Sequence, residues 1–483
     1  MTHRSESSTR QPGLAAFAGI NALAAWGGAI GLLSGALSFG DEVDRRLPFD
    51  SLVMAGLALA VVIAVPLSVL AAAAWTGHPA TGTLSAAVGA TLIAWVLLQM
   101  AVLHAFSWLH PLYLVIGAVF IVIGLGPGHR QQAFGIAGIV MGALLVATGT
   151  GLLPHLLEAE PIGVVAFALV VGGLSLAIVG GRALLRRRRR SAKVGGGVAI
   201  GLLVTITVWL VSPSIAATNV PQTELGATPA DRGLTATDVL ITTADGVQLA
   251  GWDLPSENGA AVVLLHGAGS TRSNVLDQAA VIHRHGYGVL MIDARGHGES
   301  GGRAMDFGWY GDLDIAAATR YLVEQGRIDP GRIGAVGMSM GGEEAIGAAA
   351  SDQFISAVVA EGATGRTASD KRWLSDEYGW RGAAQEQIEK AQFWVTDYLS
   401  PAAPPTALRS AVADSGDTPF LLIAAGDVAD ETAAGTYIAS AAPDRVTVWT
   451  VEGASHTGGL DTAPGEWERQ VMGFLDQHLD GER

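Results

Sequence analysis

Long apolar stretches separated by short polar ones fill the first 216 residues, whereas only short apolar runs follow them. A helix needs about 20 consecutive apolar residues to cross a bilayer, and seven stretches meet or approach this length. Each predicts a membrane helix, so we expect residues 1–216 to form an all-α transmembrane bundle. The boundary at Trp108-Leu109-His110-Pro111 is the least distinct and leaves six spans as the alternative. The predicted spans are roughly 13–39, 51–75, 82–107, 111–127, 132–153, 162–181 and 195–215.

The second part of the chain has the alternating pattern of an α/β domain. Residues 217–234 are rich in Thr, Pro, Ala and Asn without periodicity, which predicts a linker. Over residues 235–483, runs of strand length alternate with helical patterns, as in a mostly parallel sheet covered on both faces. Asp245-Gly246 between the first two runs predicts a hairpin. The predicted strands are 238–242, 247–252, 261–265, 288–292, 332–336, 355–360, 420–425 and 445–451, and the main helices are 273–285, 312–326, 340–350 and 431–441.

Charge is divided between the two parts. The chain carries a net −15, of which the residues through Lys193 contribute +5 and the remainder −20. Because cytoplasmic loops concentrate Lys and Arg, Arg182, Arg186–Arg190 and Lys193 are expected in the cytoplasm, and the second part is expected on the opposite side. We therefore predict a multi-pass protein of the cell membrane, with the lipid bilayer as a partner and an extracytoplasmic second part. A part at −20 is a poor partner for nucleic acid, which excludes that class of function.

A candidate nucleophile follows the predicted strand that ends at Val336. The chain has no cysteine, which excludes a thiolate nucleophile, a disulfide framework and a Cys-ligated metal. Gly337-Met338-Ser339-Met340-Gly341 has the G-x-S-x-G pattern, and a helical pattern comes after it. In such a context the glycines allow a strained turn that presents the serine hydroxyl at a helix N-terminus. Ser339 is therefore the predicted nucleophile.

A serine hydroxyl is a weak nucleophile and needs a neighbouring base that a carboxylate orients. His456, in the loop after the last predicted strand, is the candidate base. Asp430, which follows the strand 420–425, is the preferred acid. Asp427 and Glu431 lie in the same segment and are left open as alternatives.

The attack of Ser339 on a carbonyl creates an oxyanion, which needs hydrogen-bond donors. The backbone N–H groups of Ala268 and Met340 are the predicted pair, because Ala268 lies in the loop after strand 261–265 and Met340 follows the nucleophile. His266 in that loop is interpreted as a hydrogen-bonding residue of the loop and not as a base. This chemistry requires no metal and no organic cofactor.

The motifs of residues 235–480 and their order resemble those of the α/β-hydrolase superfamily. The resemblance implies a serine hydrolase in which Asp293, Arg295 and His297 are mostly structural. It also implies a cap over the site, for which the aromatic-rich insertion at about 362–418 is the candidate. The acid departs from the family pattern Gly-x-x-Asp, since Gly426 is four residues before Asp430. The motifs that carry the resemblance are Asp245–Trp252, Leu264–Gly269, Asp293–Ser300, Gly337–Gly342 and Gly453–His456.

The residues together predict a membrane-anchored serine hydrolase of esterase, lipase or peptidase type that cleaves an ester or amide through an acyl-enzyme. Its substrate would be a small-molecule, lipid or peptide acyl compound. Two alternatives are acyl transfer by the same residues and a transporter or sensor whose second part only binds a ligand. The residues Ser214-Ile215-Ala216 at the end of the last span resemble a small-residue cleavage site, which leaves proteolytic release as the alternative to a permanent anchor.

Overall fold

The computed structural model describes residues 10–38, 44, 46–47 and 51–479. The start of the predicted transmembrane part at residues 1–9, the end of the first predicted span at residue 39 and the end of the hydrolase-like part at residues 480–483 lie outside the described residues. The chain divides into two compact units. The first holds the residues up to Leu156 together with Pro161–Ile215 and Asp397–Pro401. The second holds Leu157–Glu160, Ala216–Thr396 and the residues from Ala402 onward.

The described residues of the first unit mainly form long apolar helices. Six are long and apolar enough to cross a membrane. The helix that corresponds to predicted span 111–127 has only 16 residues, so it reaches about 24 Å against a hydrocarbon core of about 30 Å. A seventh span therefore stays a prediction. The helices are α1 (Pro12–Leu33), α2 (Leu52–Thr76), α3 (Thr81–Leu103), α4 (Leu109–Gly124), α5 (Pro127–Leu152), α6 (Pro161–Leu185) and α7 (Arg190–Thr218).

Glycines allow neighbouring helices of this unit to approach closely. A Cβ added to Gly142 of α5 would lie 2.6 Å from the carbonyl oxygen of Gly173 in α6. In the same way, a Cβ added to Gly117 of α4 would lie 2.9 Å from the carbonyl oxygen of Gly89 in α3. Larger side chains would push these backbones apart, so the packing depends on small residues, as in many membrane bundles.

An eight-stranded sheet forms the centre of the second unit within the described residues. The strands are β1 (Thr237–Thr242), β2 (Gln248–Leu254), β3 (Ala261–Leu265), β4 (Gly288–Ile292), β5 (Ile333–Met338), β6 (Ile355–Glu361), β7 (Phe420–Ala425) and β8 (Val446–Val451). Their spatial order is β1-β2-β4-β3-β5-β6-β7-β8. The β1–β2 and β2–β4 pairs are antiparallel and the other pairs are parallel. The mostly parallel sheet and the hairpin at Asp245-Gly246 are therefore confirmed.

Helices cover the sheet and bury both of its faces. Alternate residues of a strand face opposite sides, so β3 contributes Val263 to one apolar cluster and Val262 and Leu264 to the other. Burial on both faces explains the unbroken apolar runs by which these strands were predicted. The helices of five or more residues are α8 (Leu276–Arg284), α9 (Gly311–Glu324), α10 (Met340–Ala348), α11 (Leu374–Tyr378), α12 (Trp380–Leu399), α13 (Leu408–Asp414), α14 (Ala429–Ala439) and α15 (Pro464–Leu479).

The segment predicted as a linker lies along the second unit. Leu225 and Leu234 pack against the apolar cluster that contains Trp467 of α15. Arg232 forms an ion pair with Asp277 of α8, in which its Nε lies 2.6 Å from the Asp277 carboxylate. The stretch is thus bound to the sheet domain by both apolar and charged contacts.

The insertion between β6 and β7 contains the helices α11, α12 and α13. Trp373, just before α11, is buried with Ala434 of α14. Phe393 of α12 is buried in a second cluster with Met305 and Trp309. Each of these two aromatic residues therefore lies in a small apolar cluster that is separate from the two main clusters of the sheet. Trp380, in contrast, is 81% exposed.

Candidate active site

Ser339 occupies a strained turn between β5 and α10. Its φ and ψ angles are 54° and −118°, a conformation that residues other than glycine rarely adopt. The turn needs glycine at Gly341, where a Cβ would lie 2.6 Å from the carbonyl oxygen of His266. The Ser339 amide donates a hydrogen bond to the carbonyl oxygen of Glu361, at 2.7 Å. Strain and close packing therefore present the Ser339 hydroxyl at the carboxyl end of the sheet, as the G-x-S-x-G pattern predicts.

His456 lies beside this hydroxyl. Its Nε2 is 2.8 Å from Ser339 Oγ, although 117 residues separate the two in the chain. His456 belongs to the loop after β8, and its side chain is 50% exposed. The structure thus brings the predicted nucleophile and the predicted base within hydrogen-bond distance.

The acid beside His456 is Glu431, which corrects the preference for Asp430. The Glu431 Oε1 atom lies 2.6 Å from His456 Nδ1, and its Oε2 atom accepts the N–H of Ala425 at 2.8 Å. The Asp430 carboxylate instead accepts a hydrogen bond from the Tyr378 hydroxyl at 2.6 Å. The third candidate, Asp427, is exposed.

The helix α14 explains why the sequence points to the wrong neighbour. Asp430 and Glu431 both lie in its first turn, where successive side chains are about 100° apart. Glu431 faces the sheet and is buried, whereas Asp430 faces outward and is exposed. The sequence spacing locates the acidic segment but cannot tell which of two adjacent carboxylates faces inward.

A second buried glutamate supports the loop that carries His456. The Glu361 carboxylate, at the end of β6, accepts the N–H of Gly459 at 2.7 Å and the indole N–H of Trp467 at 2.9 Å. The next residue, Gly362, has a φ of 74°, and a Cβ there would lie 2.9 Å from His456 Cε1. Sequence reasoning missed both residues. The only signal available for them is their position immediately after a predicted strand.

The surrounding carboxylates favour a protonated imidazole. The hydrogen bond to Glu431 raises the pKa of His456 above its ordinary value, and the charges of Glu343 and Glu361 act in the same direction. Burial in turn raises the pKa of the Glu343 and Glu361 carboxyl groups. His456 is therefore well placed to accept a proton and to hold it as an ion pair with Glu431.

The backbone donors predicted for an oxyanion lie near the same turn. Met340 follows Ser339 as the first residue of α10, where backbone N–H groups have no partner within the helix. The loop that carries Ala268 packs against the nucleophile, since a Cβ on Gly267 would lie 3.3 Å from Ser339 Cβ. The assignment of both N–H groups as oxyanion donors stays a prediction.

The charged motif after β4 forms a network of ion pairs that is largely buried. Arg295 pairs with Asp245 and Asp314, each at 2.7 Å, and Arg272 pairs with Asp293. His297 Nε2 lies 3.1 Å from an Asp306 carboxylate oxygen. The structure thus gives Asp293, Arg295 and His297 partners within the fold, in line with the structural roles expected for them.

His266 is likewise part of the fold. Its Nε2 accepts the N–H of Ala294 at 3.0 Å, and its Nδ1 lies 2.7 Å from the carbonyl oxygen of Gly267. Burial lowers the pKa of His266 to about 3, so the ring is neutral and serves as a fixed hydrogen-bonding group. In the described part of the chain, no group of three or more histidine or acidic side chains is arranged to hold a metal ion.

Comparison with known proteins relates the part of the chain that contains Ser339 to a hydrolase family. Residues 256–388 match the family model of serine aminopeptidase, S33. An uncharacterized protein of Mycobacterium tuberculosis is 36% identical over 115 residues, which cover 23% of this chain and 40% of that protein. Thiohydrolase aneE of Aspergillus aculeatus is 35% identical over 134 residues, which cover 26% of this chain and 41% of that protein.

A solved structure of the Pyrococcus furiosus esterase Pf2001 is 24% identical, with 55% of this chain and 98% of that chain covered and a TM-score of 0.45. The chain spans less than half the length of the two curated relatives. The family match lies within the second unit, which has the parallel sheet and the strained serine turn described above. The second unit is therefore an α/β-hydrolase-like domain, in which residues 256–388 match a hydrolase family model.

Proposed function

We propose that the chain is a membrane-anchored, extracytoplasmic serine hydrolase that cleaves an ester or amide through an acyl-enzyme. The observation that carries the proposal is the continuous line of contacts from Ser339 Oγ to His456 Nε2 at 2.8 Å and from His456 Nδ1 to Glu431 Oε1 at 2.6 Å. A nucleophile, a base and an orienting carboxylate at these distances form the arrangement that activates a serine.

In the proposed reaction, His456 takes the proton of Ser339 as the oxygen attacks the carbonyl carbon of the substrate. Glu431 holds the imidazole in orientation and stabilises its positive charge. The N–H groups of Met340 and Ala268 donate to the oxyanion, which collapses as His456 protonates the departing alcohol or amine. Water then attacks the acyl-enzyme, with His456 as its base, and releases the acid and the Ser339 hydroxyl.

The membrane placement follows from the apolar helices and from the charge of the loop between α6 and α7. Arg186–Arg190 and Lys193 favour the cytoplasmic side for this loop, and one further span places the hydrolase domain outside. We propose that the insertion at 362–418 covers the site as a cap. The acyl substrate would then reach Ser339 between this segment and the sheet.

The sidedness can be tested with single cysteines, because the chain has none of its own. Glu257→Cys is in an exposed turn of the hydrolase domain, and Arg188→Cys is in the loop between α6 and α7. A membrane-impermeant maleimide applied to intact cells should modify Glu257→Cys, whereas Arg188→Cys should react only after lysis. The opposite pattern would refute the extracytoplasmic placement.

The chemistry can be tested by labelling membranes that contain the full chain with a fluorophosphonate probe, which reacts with activated serines. The wild type should be labelled, and Ser339→Ala should not be. Ser351→Ala, a serine that follows α10 outside the turn, serves as the matched control and should be labelled like the wild type. Equal labelling of Ser339→Ala and the wild type would refute the assignment of the nucleophile.

A further inference from the structure

An apolar groove of about 510 Å³ lies between α6 and α7. The two helices meet where a Cβ on Gly181 would lie 2.9 Å from Ile200 Cδ1. Beside this contact they leave a groove whose walls are mainly aliphatic, with Leu174, Ile178 and Leu185 from α6 and Ile200 and Val204 from α7. The shape and chemistry of these walls suit a hydrocarbon chain.

Three cationic side chains line the groove in addition to the aliphatic ones. Arg182 belongs to α6, Arg186 follows it, and Lys193 belongs to the first turn of α7. The sequence from Pro161 to Thr223 contains no Asp or Glu, so no carboxylate of this stretch neutralises them. Since they lie where α6 ends and α7 begins, the groove has a charged end and an apolar length.

The helix α7 packs little against the rest of its unit. None of the residues in its most apolar window is buried inside the protein, whereas half of the corresponding window of α5 is buried. Its buried residues lie near the opposite end, at Ser212, Ser214, Ile215, Ala217 and Thr218. In a bilayer, the surface that α7 leaves uncovered along the groove would face lipid.

We propose that this groove binds one anionic phospholipid, with an acyl chain along the aliphatic walls and the headgroup phosphate between Arg182, Arg186 and Lys193. Guanidinium and ammonium groups recognise phosphate oxygens by charge-assisted hydrogen bonds. An anionic lipid fits better than a zwitterionic one, whose headgroup cation these three side chains would repel. Anionic lipids are also abundant in the cytoplasmic leaflet, the side proposed for this loop. The site goes beyond the hydrolase reaction and rests on the proposed membrane placement of the first unit.

The direct test is native mass spectrometry of the full chain in detergent, titrated with phosphatidylglycerol or with phosphatidylcholine. We expect the wild type to retain phosphatidylglycerol about tenfold better or more. The variant Arg182→Gln/Arg186→Gln/Lys193→Gln should lose about 10- to 100-fold in phosphatidylglycerol affinity. Equal retention of the two lipids by the wild type would overturn the proposal without any variant.

The matched control is Arg187→Gln/Arg188→Gln/Arg189→Gln, which removes the same charge from residues that do not line the groove. It should keep phosphatidylglycerol affinity within about threefold of the wild type, because charges outside the groove act only through a screened field. An equal loss in both triple variants would show a diffuse electrostatic attraction and contradict a defined site.

A second pair of variants tests the apolar part. Gly201 lines the groove and Gly195 does not, and neither has any atom within 4 Å of an added Cβ. Gly201→Phe should fill the groove and abolish phosphatidylglycerol retention, whereas Gly195→Phe should not. Retention of phosphatidylglycerol by Gly201→Phe would contradict acyl-chain binding. Displacement of the lipid by glycerol 3-phosphate would contradict it as well, because this compound has the headgroup phosphate but no acyl chain.

One further measurement separates this proposal from the membrane placement on which it rests. If the first unit spans the bilayer, the chain should stay in the membrane fraction after alkaline carbonate washing and dissolve only in detergent. Release by carbonate would refute the placement itself. A chain that resists carbonate but shows no preference for phosphatidylglycerol would refute only the lipid site.

Discussion

The two units of this protein differ in how their residues specify what they do. In the first unit, most positions need only to be apolar, and the few exceptions are glycines such as Gly142 and Gly173 that allow close helix contact. In the second unit, Ser339, Glu431 and His456 come from three separate loops or helix ends, and His456 lies 2.8 Å from the Ser339 hydroxyl and 2.6 Å from the Glu431 carboxylate. Bulk composition therefore specifies the apolar helices of the first unit, whereas the candidate site of the second unit depends on single positions with a constrained backbone.

The largest effect is expected from His456, the proposed base. We expect this one side chain to control activity and not folding. His456→Ala should lower kcat/KM for a p-nitrophenyl ester by about 10⁴-fold or more, because Ser339 then has no proton acceptor. Its melting temperature should stay close to that of the wild type, since the imidazole is 50% exposed. A variant that keeps a tenth of the wild-type activity would contradict the role of His456.

A smaller loss should follow from crowding the imidazole without removing it. Gly362→Ala places a Cβ 2.9 Å from His456 Cε1 at a φ of 74°, which should displace the ring and lower kcat/KM by about 10- to 100-fold. Gly416→Ala is the matched control, because Gly416 has a φ of 61° but no atom within 4 Å of an added Cβ. Equal losses of activity in the two variants would attribute the effect to backbone strain alone.

The position of the pH profile, as distinct from the size of the rate, should depend on Glu431. The base must be neutral to accept a proton, and its hydrogen bond to Glu431 raises the pKa of His456. Activity should therefore fall as the pH drops through this raised pKa, with a midpoint above the ordinary histidine value of about 6.5. In Glu431→Gln the midpoint should move to lower pH. A midpoint that does not move in this variant would show that Glu431 does not set the charge of His456.

The smallest effect on chemistry is expected from the first unit. Gly142→Leu should destabilise the contact between α5 and α6 by about 1–3 kcal/mol, because its side chain would meet the Gly173 backbone. Gly172→Leu, where an added Cβ meets no atom within 4 Å, is the control. Thermal unfolding in detergent should separate the two variants, while ester hydrolysis per folded molecule should match the wild type in both. Loss of hydrolysis by folded Gly142→Leu would show that the bundle contributes directly to the reaction.

Much of the fold could be predicted because buried parallel strands leave a strong signal. β3, β4 and β7 are buried on both faces, so their apolar runs coincide with the observed strands from the first to the last residue. The apolar helices of the first unit are equally clear from their length. The span count is harder, since α4 has only 16 residues and falls between a membrane helix and a shorter segment.

The site could be predicted in part, for a physical reason. The candidate nucleophile is marked by its glycines and the candidate base by its place after the last strand, but the choice of the acid depends on which way a helix turn faces. Asp430 and Glu431 differ by one position, and only the packing of α14 turns Glu431 inward toward Ala425. The support from Glu361 and Gly362 depends on long-range contacts with the His456 loop, which no local pattern reveals.

The central claim is that Glu431, through His456, activates Ser339. The most direct test is the second-order rate constant for fluorophosphonate labelling of the full chain in membranes, compared between Glu431→Gln and Asp430→Asn. We predict that Glu431→Gln slows labelling by about 10³-fold or more, while Asp430→Asn stays within about threefold of the wild type. Slow labelling of Asp430→Asn together with normal labelling of Glu431→Gln would contradict the account.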